Sequence, residues 1–325
     1  MTWMLTGGAG YIGAHVVRAM TAEGVGVVVY DDLSSGVSER LPEGVPVVRG
    51  SVLDGDLVRR ALSEHQVTGV LHLAARKQVG ESVERPLHYY RENLQGLTEL
   101  LEAVVEVGVP HFVFSSSAAV YGMPDVDLVT EETPCVPMNP YGQTKLAGEW
   151  LVRATGERHG LRTACLRYFN VAGAATPELA DLGVFNIIPM FFERIDAGEP
   201  PVIFGDDYPT PDGTCVRDYL HVEDLARAHL AAARHVARPE AVPGEDLTVN
   251  IGTGVGVSVR EMADLVAEVT GRPDLPARVA GRRPGDPARV VSSCALIGER
   301  LGWRARYGVR EMVESAWAGW RLRHG

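Results

Sequence analysis

The stretch TGGAGYIG, Thr6–Gly13, decides how the rest of the chain is read. It follows a short apolar run, Trp3–Thr6, and opens a segment, Tyr11–Glu23, whose apolar residues recur at three- and four-residue spacing. That spacing predicts a strand running straight into a helix. Gly7, Gly10 and Gly13 fall at this junction in a G-x-x-G-x-x-G pattern. There a missing side chain serves the tight turn, the close approach of a pyrophosphate, or the packing of helix on strand. The second predicted strand, Val25–Tyr30, ends at Asp31, eighteen residues after Gly13. A carboxylate at that point accepts hydrogen bonds from an adenosine ribose and repels a 2′-phosphate, so the pattern favours NAD over NADP. Its neighbour Asp32 reads equally as a solvated loop acid.

Outward from this unit, short apolar runs alternate with longer helical patterns as far as about Arg167. Further strands are expected at Val45–Val48, Gly69–Leu73, His111–Ser115 and Thr163–Arg167, and further helices at Leu57–His65, Leu87–Val107 and Tyr141–His159. The alternation predicts an α/β chain with a doubly wound, Rossmann-like parallel sheet. After Asn170 it breaks, and FGDDYPTPDGTCVRD occupies Phe204–Asp218, a length of loop that is more often functional than idle. A strand at Leu247–Ile251, a helix opened by Ser258 with Glu261 at the capping-box position, and a helix near Arg310–Arg323 complete the chain. We expect a dinucleotide-binding domain over 1–172, joined by about 217–245. A smaller, discontinuous α/β substrate-binding domain is expected over 173–216 and 246–325.

The 325 residues carry 31 basic against 42 acidic side chains, a formal charge of −11. This argues against nucleic acid or an anionic membrane as partner, since both need a basic face. An anionic ligand must meet locally placed arginines. Cys135, Cys165, Cys215 and Cys294 show no paired spacing, and histidines such as His72 and His221 lack metal-ligand spacing, so no metal is expected. Reduced thiols, the lack of a signal-peptide pattern and the lack of a long apolar run suggest a cytoplasmic protein.

Only two lysines occur, Lys77 and Lys145, and Lys145 follows Tyr141 by four residues. On a helix those positions share a face, and an ammonium beside a phenol favours its ionised form. A tyrosine so tuned is a usable base near neutral pH.

The glycine pattern, SSSAAVYG at Ser115–Gly122 and YGQTK at Tyr141–Lys145 together resemble the extended short-chain dehydrogenases/reductases. VGESVERPLHYYREN, RYFNVAG, FGDDYPTPDGTCVRDYLHV and RRPGD further resemble the UDP-glucose 4-epimerases within that family, over nearly the whole chain. The resemblance implies C4 inversion of a UDP-sugar by oxidation to a 4-ketose, rotation and re-reduction, with tightly bound NAD. It implies Tyr141 as base, Lys145 as its helper and Ser117 as the hydroxyl on the sugar's 4-oxygen. As further cofactor contacts it implies Tyr11, Ile12, Asp31, Asp32, Leu33, Ser34, Ser51, Val52, Leu73, Ala74, Ala75, Lys77, Asn93, Ser115, Tyr168 and Phe169. On the substrate side it implies Asn170, Asn186, Ile187, Val202, Phe204, Arg217, Arg283, Asp286 and Val290. It also implies a homodimer through the helices Leu87–Val107 and Tyr141–His159.

Three positions depart from the family pattern: Ser51 for an aspartate, Ala119 for a threonine and Val171 for a proline. Val290 stands where a bulky tyrosine in this family favours plain hexoses, which makes UDP-GlcNAc an additional candidate substrate. A nucleotide-sugar 4,6-dehydratase would carry an Asp-Glu pair where this chain has Ala118-Ala119, so dehydration is disfavoured. Epimerases of UDP-glucuronate or UDP-pentoses remain alternatives, as does a non-catalytic NAD-binding module, which would have no need of the Tyr141/Lys145/Ser117 set.

Overall fold

Strands buried on both faces need apolar residues throughout, and that is how the central strands are composed. In a computed structural model, which describes residues 1–283 and 285–325, they are β1 (Thr2–Thr6), β2 (Gly26–Asp31), β3 (Val47–Arg49), β4 (Gly69–His72), β5 (His111–Ser115) and β6 (Arg162–Tyr168). Pro284, inside the RRPGD stretch, lies outside the described residues. Three short strands follow, β7 (Asn170–Ala172), β8 (Val202–Phe204) and β9 (Val216–His221), then β10 (Asp246–Ile251), β11 (Gly256–Ser258), β12 (Arg278–Ala280) and β13 (Arg289–Val290).

The main sheet is parallel throughout, in the order β10-β6-β5-β4-β1-β2-β3. Strand order reverses between β1 and β4, and ligands of open α/β sheets bind beyond the carboxyl ends of the strands at such a point. TGGAGYIG leaves β1 there. One face of the sheet is covered by helices Tyr11–Ala22 and Val222–Val236, which bury Val16, Val17, Met20, Leu225 and Ala233 with Leu5, Val29 and Leu166. The other face is covered by helices Gly55–Glu64, Gly96–Val107 and Pro140–His159, whose Leu62, Leu100, Val104 and Val152 pack on Met4, Val70 and Phe112.

A second, smaller sheet places β9 between β11 and β13, with β7 also pairing β9, and β8 pairs β12 apart from it. Its core is formed by helices Ile187–Asp196, Val259–Thr270 and Val309–His324 around Phe192, Met262, Met312 and Trp320. The capping box expected at Ser258 is present: its Oγ accepts from Glu261 N at 3.0 Å, and Glu261 Oε2 accepts from Ser258 N at 2.7 Å.

Two features differ from the expected organisation. β10, assigned to the smaller domain from the sequence, pairs with β6 at the edge of the main sheet, and β9, assigned to the larger one, is the centre of the small sheet. Leu247, Val249 and Ile251 alternate into the large core, together with Ile297 and Trp303. The expected helix Leu87–Val107 is interrupted: Pro86–Tyr89 is α-helical, Tyr90–Gln95 is a π-helical turn, and Gly96–Val107 resumes the α-helix. Such wider turns cluster at functional sites. Here the turn contains Asn93, whose side chain is engaged away from its own helix.

Candidate active site

A cavity of ≈ 800 Å³ runs from the glycine turn to the junction of the two sheets, and a second of ≈ 230 Å³ continues into the smaller one. At the turn, Gly7 has φ +70°, and an added Cβ would lie 2.7 Å from Ala74 N. A Cβ on Gly13 would sit 2.2 Å from Gly7 O, so that glycine is needed for helix-on-turn packing. Gly10 differs. A Cβ there would touch only Gly7 O, at 3.3 Å, and would otherwise stand in the cavity. Gly10 is also the N-cap of helix Tyr11–Ala22 and supplies no side-chain cap, so first-turn amides remain for an anion. Asp31 is buried and organises this end: Oδ2 accepts from Ala9 N and Oδ1 from Leu33 N, both at 2.9 Å. Burial pushes its carboxyl up, and those two amides pull it back toward the ionised form. A Cβ-free cradle, uncapped helix amides and a buried acid at the end of β2 fit NAD.

The helix Pro140–His159 starts with Asn139, whose Oδ1 accepts from Gly142 N at 2.9 Å, and with Pro140 in its first turn. This start sets Tyr141 in the cavity wall at 9% exposure, with Lys145 one turn on at 3%. Ser117, at the end of the segment leaving β5, lines the same wall and takes the N-cap position of a short turn, accepting from Ala119 N at 3.2 Å. The tuning differs from the sequence expectation. Lys145 Nζ donates to Ser115 O at 2.8 Å and lies 5.0 Å from the centre of the Phe114 ring. Burial pushes the Tyr141 phenol up, and it is Ser117 that offsets this. Burial lowers Lys145 itself, to about 8, against the opposing pull of Glu149. Both groups are enclosed, so desolvation is the largest cause of each shift.

Glu149 continues the face of Tyr141 and Lys145 by a further four residues, a spacing visible in the sequence although its partner is not. Its carboxylate is 1% exposed. It accepts from Ser116 Oγ at 2.5 Å and from Arg167 Nε and Nη2 at 2.9 and 2.6 Å. Arg167 Nη1 donates to Tyr121 Oη at 3.0 Å, and Tyr121 Oη donates to Asn250 Oδ1 at 2.6 Å. The helix, the serine run after β5, β6 and β10 are thereby tied together behind the cavity.

On the far side, β9 presents Arg217, which pairs with Asp286. The neighbouring Asp218 is fully buried and accepts from Thr253 N at 2.8 Å, Gly254 N at 3.0 Å and Ser292 N at 3.1 Å, so β9 is anchored to the chain after β10 and β13. Asn170 Nδ2 donates to Asp218 O at 2.9 Å. The Arg283 guanidinium lies 3.8 Å from the centre of the Phe204 ring. Val290, opposite Arg217 in the parallel register, lies in the wall shared with Ser117 and Tyr141 and packs with Val120, Leu146 and Phe169.

Of the residues singled out from the sequence, the large cavity brings together Gly7, Gly10, Tyr11, Ile12, Gly13, Asp31, Asp32, Ser34, Ser51, Val52, Leu73, Ala74, Ala75 and Lys77. With them are Ser117, Tyr141, Lys145, Tyr168, Phe169, Asn170, Asn186, Arg217, Asp286 and Val290. Ile187 and Arg283 line the smaller cavity. Among the described residues, Leu33, Asn93, Ser115, Val202 and Phe204 line neither. Leu33 turns the chain at φ 58° after Asp31. Asn93 stands behind the wall, accepting from Arg76 N at 2.8 Å and donating to Arg76 O at 3.0 Å and Thr144 Oγ1 at 3.1 Å, and so holds the segment before Lys77. Ser115 acts through its carbonyl on Lys145 and through Oγ, 3.0 Å from His229 Nε2. Arg40 and Asp181 also line the large cavity, and no local pattern in the sequence marks them.

A family model described as the NAD dependent epimerase/dehydratase family matches residues 3–252. The UDP-glucose 4-epimerase of Azospirillum brasilense is 45% identical over 309 residues, covering 92% of this chain and 86% of its own length. A UDP-glucose 4-epimerase from Brucella ovis, solved in complex with NAD, superposes with TM-score 0.92 at 37% identity, covering 98% of both chains. Another from Bifidobacterium longum, solved with NAD+ and UDP, gives TM-score 0.91 at 33% identity over 100% of this chain and 99% of its own.

Proposed function

Because this chain belongs to the NAD dependent epimerase/dehydratase family, we propose that it interconverts UDP-glucose and UDP-galactose by inverting the configuration at C4 through a 4-keto sugar. The reading is carried by one observation: Ser117, Tyr141 and Lys145 share the wall of a cavity that holds a dinucleotide cradle at one end and Asn186 and Arg217 at the other. NAD, when bound, supplies reversible hydride transfer at a carbon that is not acidic. The chain's own residues handle protons, charge and position. Tyr141 takes and returns the proton of the 4-hydroxyl, with Ser117 hydrogen-bonded to the same oxygen. Lys145 supplies positive charge beneath the phenol. Gly10 and the first turn of its helix receive the cofactor's pyrophosphate, and Asp31 receives the adenosine ribose. Arg217 and Arg283 hold the sugar nucleotide's diphosphate by charge-assisted hydrogen bonds, which lets an acidic protein retain an anion while the sugar turns.

Val290, smaller than the tyrosine of the family pattern, lines the same cavity as Tyr141, which supports UDP-GlcNAc as a further substrate. A homodimer is supported by exposed apolar side chains on the two stretches of the resemblance, Leu87 and Tyr90 on the first and Trp150 on the second. All four cysteines are free thiols, which suits the cytoplasm. Among the described residues, no helix is long and apolar enough to cross a membrane.

The test is to incubate the purified protein separately with UDP-galactose, UDP-GlcNAc and UDP-glucuronate and to follow C4 configuration by NMR. Conversion of UDP-galactose to a mixture with UDP-glucose is expected. Turnover of UDP-glucuronate alone would move the activity to another member of the family. Inertness toward all three would leave only a dinucleotide-binding role.

A further inference from the structure

Where the two cavities join stand two acids. Asp286 is paired with Arg217, as a substrate-site arginine in a free chain needs to be. Asp181 has no such evident purpose. It lines both cavities, and its side chain is 13% exposed. Oδ1 accepts from Gly183 N at 3.1 Å and closes a local turn. Oδ2 accepts from Asn186 Nδ2 at 3.1 Å and lies 3.8 Å from Lys77 Nζ. The carboxylate therefore occupies one residue from each half of the site, Lys77 from the segment after β4 and Asn186 at the start of helix Ile187–Asp196. Cations surround it. Arg323 Nη2 donates to its carbonyl at 2.7 Å, and Arg40 donates to Ala180 O.

A carboxylate and a diphosphate want the same donors and repel each other. In a crevice built to receive anions, an acid held on Asn186 competes directly for the hydrogen bonds a diphosphate would take, and its charge cancels part of the field of Lys77, Arg40 and Arg323. We propose that Asp181 limits how tightly the diphosphate of the sugar nucleotide is held, by occupying Asn186 in the free chain and yielding it as the diphosphate arrives. The proposal rests on the UDP-sugar reading above. Its consequence is kinetic. An enzyme whose substrate and product carry the same diphosphate must release what it binds, and a built-in competitor raises the rate of release without touching the reacting carbon.

The experiment uses NAD-loaded wild-type protein, Asp181→Asn and Asp181→Glu, titrated calorimetrically with UDP and with uridine. Asparagine keeps an acceptor for Gly183 and a partner for Asn186 while removing the charge, and Asp181→Ser repeats the comparison should the asparagine variant not fold. UDP is expected to bind Asp181→Asn about tenfold more tightly, the scale of one like-charge contact across a few ångströms of partly wet protein. The gain shrinks as salt is raised. Uridine, lacking the diphosphate, is expected to bind all three proteins alike, and Asp181→Glu to match wild type. Unchanged or weaker UDP binding by Asp181→Asn overturns the proposal, and so does an equal gain for uridine, which would make the effect one of loop packing. A wild-type protein that binds no UDP overturns the functional reading itself, and this inference with it.

Discussion

Replacing Glu149 by leucine should be among the most destabilising single changes in the chain. The carboxylate is 1% exposed and the Arg167 side chain 7%, so neither can turn to water. Leucine deletes both Arg167 bonds, at 2.9 and 2.6 Å, and the Ser116 bond at 2.5 Å. The guanidinium is left with Tyr121 Oη at 3.0 Å and Glu131 O at 3.3 Å, both neutral. Removing one partner of a buried pair costs about 3–5 kcal/mol, because the other charge remains buried and uncompensated. Against a domain stability of ~5–15 kcal/mol, that is a large fraction. Removing both partners, in Glu149→Leu/Arg167→Met, abolishes the orphaned charge and should recover most of the loss. The assay is urea unfolding of wild type, both single variants and the double variant, followed by tryptophan fluorescence and circular dichroism. A loss below about 1 kcal/mol in Glu149→Leu, or a double variant whose loss equals the sum of the singles, would refute the argument that a desolvated charge pair locks this helix.

Three other expectations follow from the site. Tyr141→Phe should fold, retain NAD and lose at least about a hundredfold in kcat with UDP-galactose, the usual scale for an acid/base group, whereas near-wild-type turnover would remove Tyr141 from the chemistry. Val290→Tyr should lose UDP-GlcNAc conversion selectively relative to UDP-glucose; an unchanged ratio of the two kcat/KM values, or no N-acetyl activity in wild type, would end the idea that this position sets pocket size. Lys145 gives a pH signature in the cofactor-free protein. Its folded value of about 8 lies below the ordinary 10.5, so between those pH values the unfolded chain binds the extra proton and stability rises with pH. Wild type should gain about 3 kcal/mol over Lys145→Met across that window, and parallel stability curves for the two proteins would count against a buried amine.

Much of this site is local and was therefore legible. Gly7, Gly10, Gly13 and Asp31 lie within one strand-helix-strand unit, where steric demands on the turn act between near neighbours. Tyr141 and Lys145 share a helix face by spacing alone. The capping box at Ser258 is likewise a matter of four residues. What resisted reading involves partners remote in the chain: β10 joins β6 with Asp246 opposite Thr163 and Ile251 opposite Tyr168, Glu149 meets Arg167, and Asp181 lies between Lys77 and Asn186. The π-helical turn was also hidden, because its pattern of apolar residues is that of an ordinary helix until the Asn93 side chain is drawn to Arg76 and Thr144.

By itself, then, the order of residues determined the parallel α/β architecture, the glycine turn after β1 and the placing of Tyr141 and Lys145 on one helix face, since each depends on period and sterics within a short span. Only the tertiary structure decided which sheet each late strand joins, what the ammonium of Lys145 touches, and which acids line the cavity. Those outcomes are set by burial and by distances between groups far apart in the chain, and an electrostatic interaction has no definite strength until its neighbours and its exposure to water are known.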